Sequence, residues 1–134
     1  MKEASFSLRS YKFNHVLLDM VNINPDIILD IDIKPSGKFL QEKSEFLLSF
    51  EFIAKSEDKI VIDINCMACY YLNGINKIDE IPQYFYSNII AILFPYVRAF
   101  ISNLSLQANY KPIVLPTMNL SNLKDDLKAH VIVY

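Results

Sequence analysis

Ser87–Leu106, SNIIAILFPYVRAFISNLSL, is the stretch on which the fold turns. Between Ile81 and Tyr110 the single charged side chain is Arg98. Set on a helix, Asn88, Ala91, Pro95, Arg98, Ser102 and Ser105 recur three or four apart and make one narrow small-or-polar stripe. Around that stripe stand Ile89, Ile90, Ile92, Leu93, Phe94, Tyr96, Val97, Phe100, Ile101 and Leu104. A helix with one apolar face needs one partner, whereas a helix apolar over most of its circumference must be covered on two sides. Part of the cover is therefore expected from another subunit, with Ile89, Leu93, Tyr96 and Arg98 at the seam. For Arg98 two readings stand level: a cation paired across that contact, or a solvated stripe position.

Working outward, 134 residues suit a single domain, residues 1–134, with a substantial core. Thirteen basic residues face fifteen acidic ones with no basic run, so nucleic-acid binding has no electrostatic footprint. A hydrophobic share of 52%, with nine Phe and eight Tyr, suits a subunit that hides apolar surface in an assembly or offers it to a partner. The N-terminal MKEASFSLRSYKF lacks the uninterrupted apolar core of a secretory signal. Pro82, Gln83, Ser87, Asn88 and Pro95 interrupt the longest charge-free run, and Arg98 follows it, so no membrane insertion is expected. Two cysteines without an export signal point to a reducing cytoplasm.

Before the helix, the period is that of strands. Phe6 and Leu8 alternate on one parity and Tyr11 and Phe13 on the other, which a bulge near Arg9–Ser10 would produce. Val16–Val21 reads as an apolar connection and Asn22-Ile23-Asn24-Pro25 as a turn. Ile27, Leu29, Ile31 and Ile33 share one face of a second strand, stopped by Pro35-Ser36-Gly37-Lys38. Phe46, Leu48, Phe50 and Phe52 mark the inner face of a third. A short charged link leads to a fourth, with Ile60, Ile62, Ile64, Cys66, Tyr70 and Leu72 on one parity and Asn73-Gly74 at its end. Short links between successive strands predict an antiparallel sheet. The helix begins around Gln83–Asn88, is bent by Pro95 and fades near Gln107. Asn109–Met118 is expected to be extended, with a final helix, Leu120–Lys128, capped by Asn119 or Ser121. The class is α+β: a four-stranded antiparallel sheet, a long proline-kinked helix and a short C-terminal helix.

Nothing here composes an enzyme. Cys66-Met-Ala-Cys69 lies in a predicted strand, where residues three apart face opposite ways, and reads as two cysteines packed as small hydrophobes. His15 and His130 stand apart from any nucleophile arrangement. Asp30 and Asp32 are what the polar side of a half-buried strand requires. With two glycines there is no phosphate-cradling loop, and no metal or cofactor is expected.

Leu93-Phe94-Pro95-Tyr96-Val97-Arg98 resembles the LFPYAR signature of SecB, the bacterial protein-export chaperone. Pro112-Ile-Val-Leu115-Pro116-Thr-Met-Asn119-Leu120 is similar to the family's FPxLxLxPVNF stretch. Pro25–Asp32 looks like its PEVKLDLD strand, and Arg9-Ser10-Tyr11 matches a family Arg-x-Tyr. The resemblance runs in order along nearly the whole chain. It implies protomers paired into dimers and usually tetramers, with the long helices sandwiched between sheets. The implied activity is that of an ATP-independent holdase that binds unfolded chains in apolar grooves and delivers them to the SecA translocation motor.

On this resemblance the client-binding candidates are Ile27, Leu29 and Ile31 of the matched strand, Phe100, Ile101 and Leu104 of the helix, and Leu120 and Leu123 beyond the prolines. Asp63 is the candidate motor-docking residue, while Asn14 stands where the family has an aspartate. The end, His130-Val-Ile-Val-Tyr134, carries none of the acids of the family's motor-binding tail. Two alternatives follow: a SecB-like chaperone of a single partner such as an antitoxin, or an assembly protein that reuses the fold.

Overall fold

The computed structural model describes every residue except 1–4, 25, 27, 116 and 117. Four long strands, β1 (Phe6–Leu18), β2 (Asp30–Leu40), β3 (Glu45–Ser56) and β4 (Lys59–Leu72), precede a short 3-10 turn at Ile78–Glu80. Then come α1 (Gln83–Gln107), α2 (Leu123–Ala129) and β5 (Val131–Val133). The sheet order is β1-β4-β3-β2-β5, antiparallel throughout except that β5 runs parallel to β2.

β1 slips register against β4 twice, between Leu8 and Ser10 and between Phe13 and His15. Each bulge flips every side chain after it. Phe6 and Leu8, then Tyr11 and Phe13, then Val16 and Leu18 thus all stand opposite buried residues of β4. The second slip makes a strand of what reads in sequence as the start of a connection. β3 is simpler: Phe46, Leu48, Phe50 and Phe52 are all 0% exposed. In β4 the expected parity holds from Ile62 onward. A slip between Ala54 and Lys55 leaves Val61 buried and pushes Ile60 out to the surface.

β2 does not stop at Pro35-Ser36-Gly37-Lys38 but runs through it to Leu40. Gly37 N–H points away from β3 and bonds the His130 carbonyl at 3.0 Å. Pro35, two residues earlier in an unslipped ladder, has its nitrogen on that same outer side, where no bond to β3 is lost. Gly37 also makes room for an aromatic ring: a Cβ there would stand 2.4 Å from Phe46 Cζ. The chain end forms β5, a fifth strand paired with Gly37–Phe39, where the alternation predicts four.

α1 lies across one face of the sheet. Phe85, Ile89, Ile90, Leu93 and Val97 are 0% exposed, and Tyr70 OH donates to the Ile89 carbonyl at 2.9 Å. Phe85 meets the ring of Phe46 edge-on at 5.2 Å. Farther along the helix, Phe94 packs on Phe50 and Phe100 stacks on Phe13 at 3.9 Å. Ile89 and Leu93 thus lie in the protomer's own core rather than at a subunit seam, because the sheet needs the same apolar stripe. Tyr96 remains 43% exposed and Arg98 half-buried, its guanidinium 4.9 Å from the Phe94 ring. The helix continues through Pro95. Proline leaves the Ala91 carbonyl without its helical donor, and both residues are exposed. α1 is long and apolar enough to cross a membrane, but its inner face is seated on the sheet, the position of a core helix.

Candidate functional site

At its C-terminal end α1 turns back on itself. Asn109 adopts φ 68°, its N–H bonds Leu106 O at 2.9 Å, and Tyr110 N–H bonds Ser105 O at 3.0 Å. This paired pattern is the Schellman motif, which Asn tolerates better than most residues. The chain then returns past two helix hydroxyls. Ser105 Oγ accepts from Ile113 N–H at 2.9 Å, and Ser102 Oγ donates to Ile113 O at 2.8 Å. Ser105 O–H in turn is 2.9 Å from the Ser102 carbonyl. Both main-chain groups of Ile113 are therefore held by the polar stripe of the helix, which explains why Ser105 is fully buried.

This anchored segment forms one side of an apolar groove of about 520 Å³. Pro112, Ile113, Val114 and Leu115 line it from the segment after α1, and Ile31 and Val61 from the sheet. Met20, Ile23, Asn24, Ile28 and Leu29 come from the β1–β2 connection. Ile28 is 90% exposed and Val114 80%, so both leave apolar surface bare at the groove. Lys59 braces the connection, donating to the Val21 carbonyl and lying 3.2 Å from Asp19 Oδ1. The Asp19 carboxyl is held below the usual carboxylate range, first by its bond from Val21 N–H and then by Lys59. Lys111 reaches from the helix side to within 3.5 Å of Asp26 on the connection, an exposed pair that contributes little energy. Chemically the groove offers burial of apolar side chains, roughly 1.5–3 kcal/mol for each one fully enclosed.

Of the residues expected to contact clients, Leu29 and Ile31 line this groove, and Ile27 lies outside the described residues. Ile101 is 1% exposed and belongs to the core. Phe100, Leu104, Leu120 and Leu123 are partly buried against that core and do not line the groove. The sequence reading missed Ile28, Ile113, Val114 and Leu115. For Ile113, Val114 and Leu115 the signal was the PIVL run following a helix, a short apolar stretch with no period.

Asp63 sits on the sheet face away from α1, its carboxylate 3.6 Å from His15 Nε2. Beside it Asn65 Nδ2 donates to Asn14 Oδ1 at 2.7 Å, and Ser49 Oγ donates to Asn65 Oδ1 at 3.0 Å. Cys66 faces the core and Cys69 the opposite side, where its thiol donates to Glu45 at 3.1 Å. Burial pushes the Cys66 thiol up to about 11, and burial followed by the Glu45 carboxylate does the same for Cys69. Neither is a nucleophile at neutral pH. Among the described residues no group of three or more His, Cys, Asp or Glu side chains gathers to hold a metal ion.

The fold is thus a sheet backed by one long helix, with an apolar groove where that helix ends. The family described as preprotein translocase subunit SecB matches residues 1–129, and the chain belongs to that family, whose members are chaperones and not enzymes. Among solved structures, the chain is similar to the SecB-like chaperone Rv1957 of Mycobacterium tuberculosis, seen in complex with a ChAD peptide from the HigA1 antitoxin. The TM-score is 0.67 at 16% identity, covering 85% of this chain and 88% of that one. A Streptococcus agalactiae protein of unknown function matches with a TM-score of 0.57 at 14% identity, covering 87% of this chain and all of the other. An uncharacterized Methanocaldococcus jannaschii protein, MJ0357, is 41% identical over 51 residues, 38% of this chain and 33% of its own length.

Proposed function

We propose that the chain is an ATP-independent holdase of the cytoplasm, a single domain that shields unfolded polypeptides by burying their apolar segments in the groove beside the end of α1. The observation that carries this is the groove itself: about 520 Å³, apolar, walled by a segment pinned to the helix, with Ile28 and Val114 left bare at its rim. Affinity from apolar burial is broad in sequence preference, as a holdase requires. Homo-oligomers would assemble through the outward face of α1, where Tyr84, Ile92 and Tyr96 are 49%, 39% and 43% exposed. Arg98 Nε, buried without a hydrogen-bond partner among the described residues, would find an acceptor at that contact.

A second reading, a chaperone dedicated to one partner, is favoured by the likeness to a relative solved with an antitoxin peptide. Delivery to the SecA motor would use the sheet face around Asp63, whose Oδ1 is also buried and unpaired among the described residues. The test is suppression of aggregation of several unrelated unfolded proteins. Protection of all of them supports the general holdase, protection confined to one co-purifying partner supports the dedicated chaperone, and protection of none overturns both.

A further inference from the structure

We infer that Asn73 is a site of spontaneous covalent modification, where the chain loses ammonia and converts to aspartyl and isoaspartyl forms. Asn73-Gly74 directly follows β4 and is the one Asn-Gly pair in the sequence. The chemistry needs only the two residues and water. The Gly74 main-chain nitrogen attacks the Asn73 side-chain carbonyl carbon. A carbon–nitrogen bond forms, and the side-chain amide leaves as ammonia, taking the proton from the Gly74 nitrogen. Water then opens the imide ring. Breaking the new bond gives aspartate, and breaking the original peptide bond gives isoaspartate, whose main chain runs through the side-chain methylene.

The structure leaves the reacting atoms unencumbered. Asn73 and Gly74 are both exposed, and among the described residues neither the Gly74 N–H nor the Asn73 side-chain amide has a hydrogen-bond partner. Gly74 has φ 73°, and a Cβ there would meet nothing within 4 Å, so nothing crowds its nitrogen. The turn is closed by a single long bond, Ile75 N–H to the Leu72 carbonyl at 3.3 Å. Opening that bond frees Asn73 to rotate its side chain onto the nitrogen.

Other asparagines are restrained at one of the two reacting groups. The side-chain oxygens of Asn14, Asn76 and Asn119 accept hydrogen bonds. The nitrogens that follow Asn22, Asn109 and Asn122 donate to the carbonyls of Met20, Ser105 and Leu120. Asn88 and Asn103 lie inside α1. The reactivity is thus a property of this corner and not of asparagine content.

The corner also has structural consequences. Leu72 N–H bonds the Ser44 carbonyl at 2.8 Å and Asn73 N–H bonds the Ser5 carbonyl at 3.0 Å, beside the Phe6–Leu72 rung that begins the β1–β4 ladder. Two residues on, Ile75 is 4% exposed. Isoaspartate lengthens the main chain between these fixed points and loosens the start of β1. Both products add a negative charge to a chain of net charge −2.

The test holds the full chain at mildly alkaline pH and maps its peptides by mass spectrometry, with electron-transfer fragmentation to separate aspartate from isoaspartate. The Asn73 peptide is expected to gain the mass that exchanges NH2 for OH, faster as pH rises, while the other asparagines keep their mass. Asn73→Gln, which must close a larger ring, should abolish the acid-shifted form seen by ion exchange. In the isoaspartyl fraction the Leu72 amide should exchange faster. An Asn73 that keeps its mass in the folded chain while the same segment converts as a free peptide overturns the inference, as does conversion chiefly at another asparagine. Unchanged exchange at Leu72 in the isoaspartyl fraction overturns the loosening of β1.

Discussion

The core beneath α1 and the groove at its end are made of the same residue types and treat them oppositely. Phe46, Phe50, Tyr70 and Phe85 are 0% exposed, whereas Ile28 and Val114 stand almost bare. The difference lies in the backbone. Core residues sit in a long ladder and a helix whose main-chain groups are paired internally, so their side chains can close over one another. Apart from Ile31 and Val61 of the sheet, the groove residues sit in connections held at a few points, Ile113 by two serines and Val21 by Lys59. Such segments cannot zip shut, and a cavity persists between them.

The comparison predicts separable effects. Phe50→Ala should cost about 3–5 kcal/mol in denaturant unfolding, as for other buried phenylalanines, while the folded fraction still binds peptide. An equal loss of peptide affinity per folded molecule would show that core and groove are not distinct. Tyr96→Glu places a charge on the outward face of α1 and should lower the mass seen by light scattering, with the unfolding midpoint little changed. Ser105→Ala leaves the Ile113 amide without its acceptor, at a cost of about 1–3 kcal/mol. Amide exchange at Ile113 should accelerate and peptide dissociate faster, whereas Ser102→Thr, which keeps the hydroxyl, should do neither.

The smallest effect concerns the thiols. Their folded pKa values of about 11 lie above the ordinary value of 9.0, so folding favours the neutral form. That stability is complete below the ordinary value and declines as pH rises from about 9 toward 11. Near pH 8 the native thiols should resist alkylation, and they should react once the chain is unfolded.

The long alternations were legible because one buried face imposes one period: Phe46 to Phe52 and Ile62 to Leu72 lie where the sequence places them. The helix was legible for the same reason, from Gln83 to Gln107. Pro35 misled because a proline stops a strand only where its nitrogen faces a partner, and which side it faces depends on the register with β3. Ile89 and Leu93 misled because an apolar helix advertises how much it must bury but not in which direction. Leu29 and Ile31 of the groove were found through the strand pattern. Val114 and Leu115 were not, since their position follows from a Schellman turn at Asn109 and two serine hydroxyls, contacts that leave no period in the chain.

The groove as the client-holding surface is tested most directly by the double variant Ile28→Asp, Val114→Asp. Both side chains are exposed, so the unfolding midpoint should move little. Measured as suppression of light scattering by several unrelated unfolding proteins, the account predicts protection by the native chain and its loss in the double variant. A double variant that folds normally and protects as well as the native chain would contradict it.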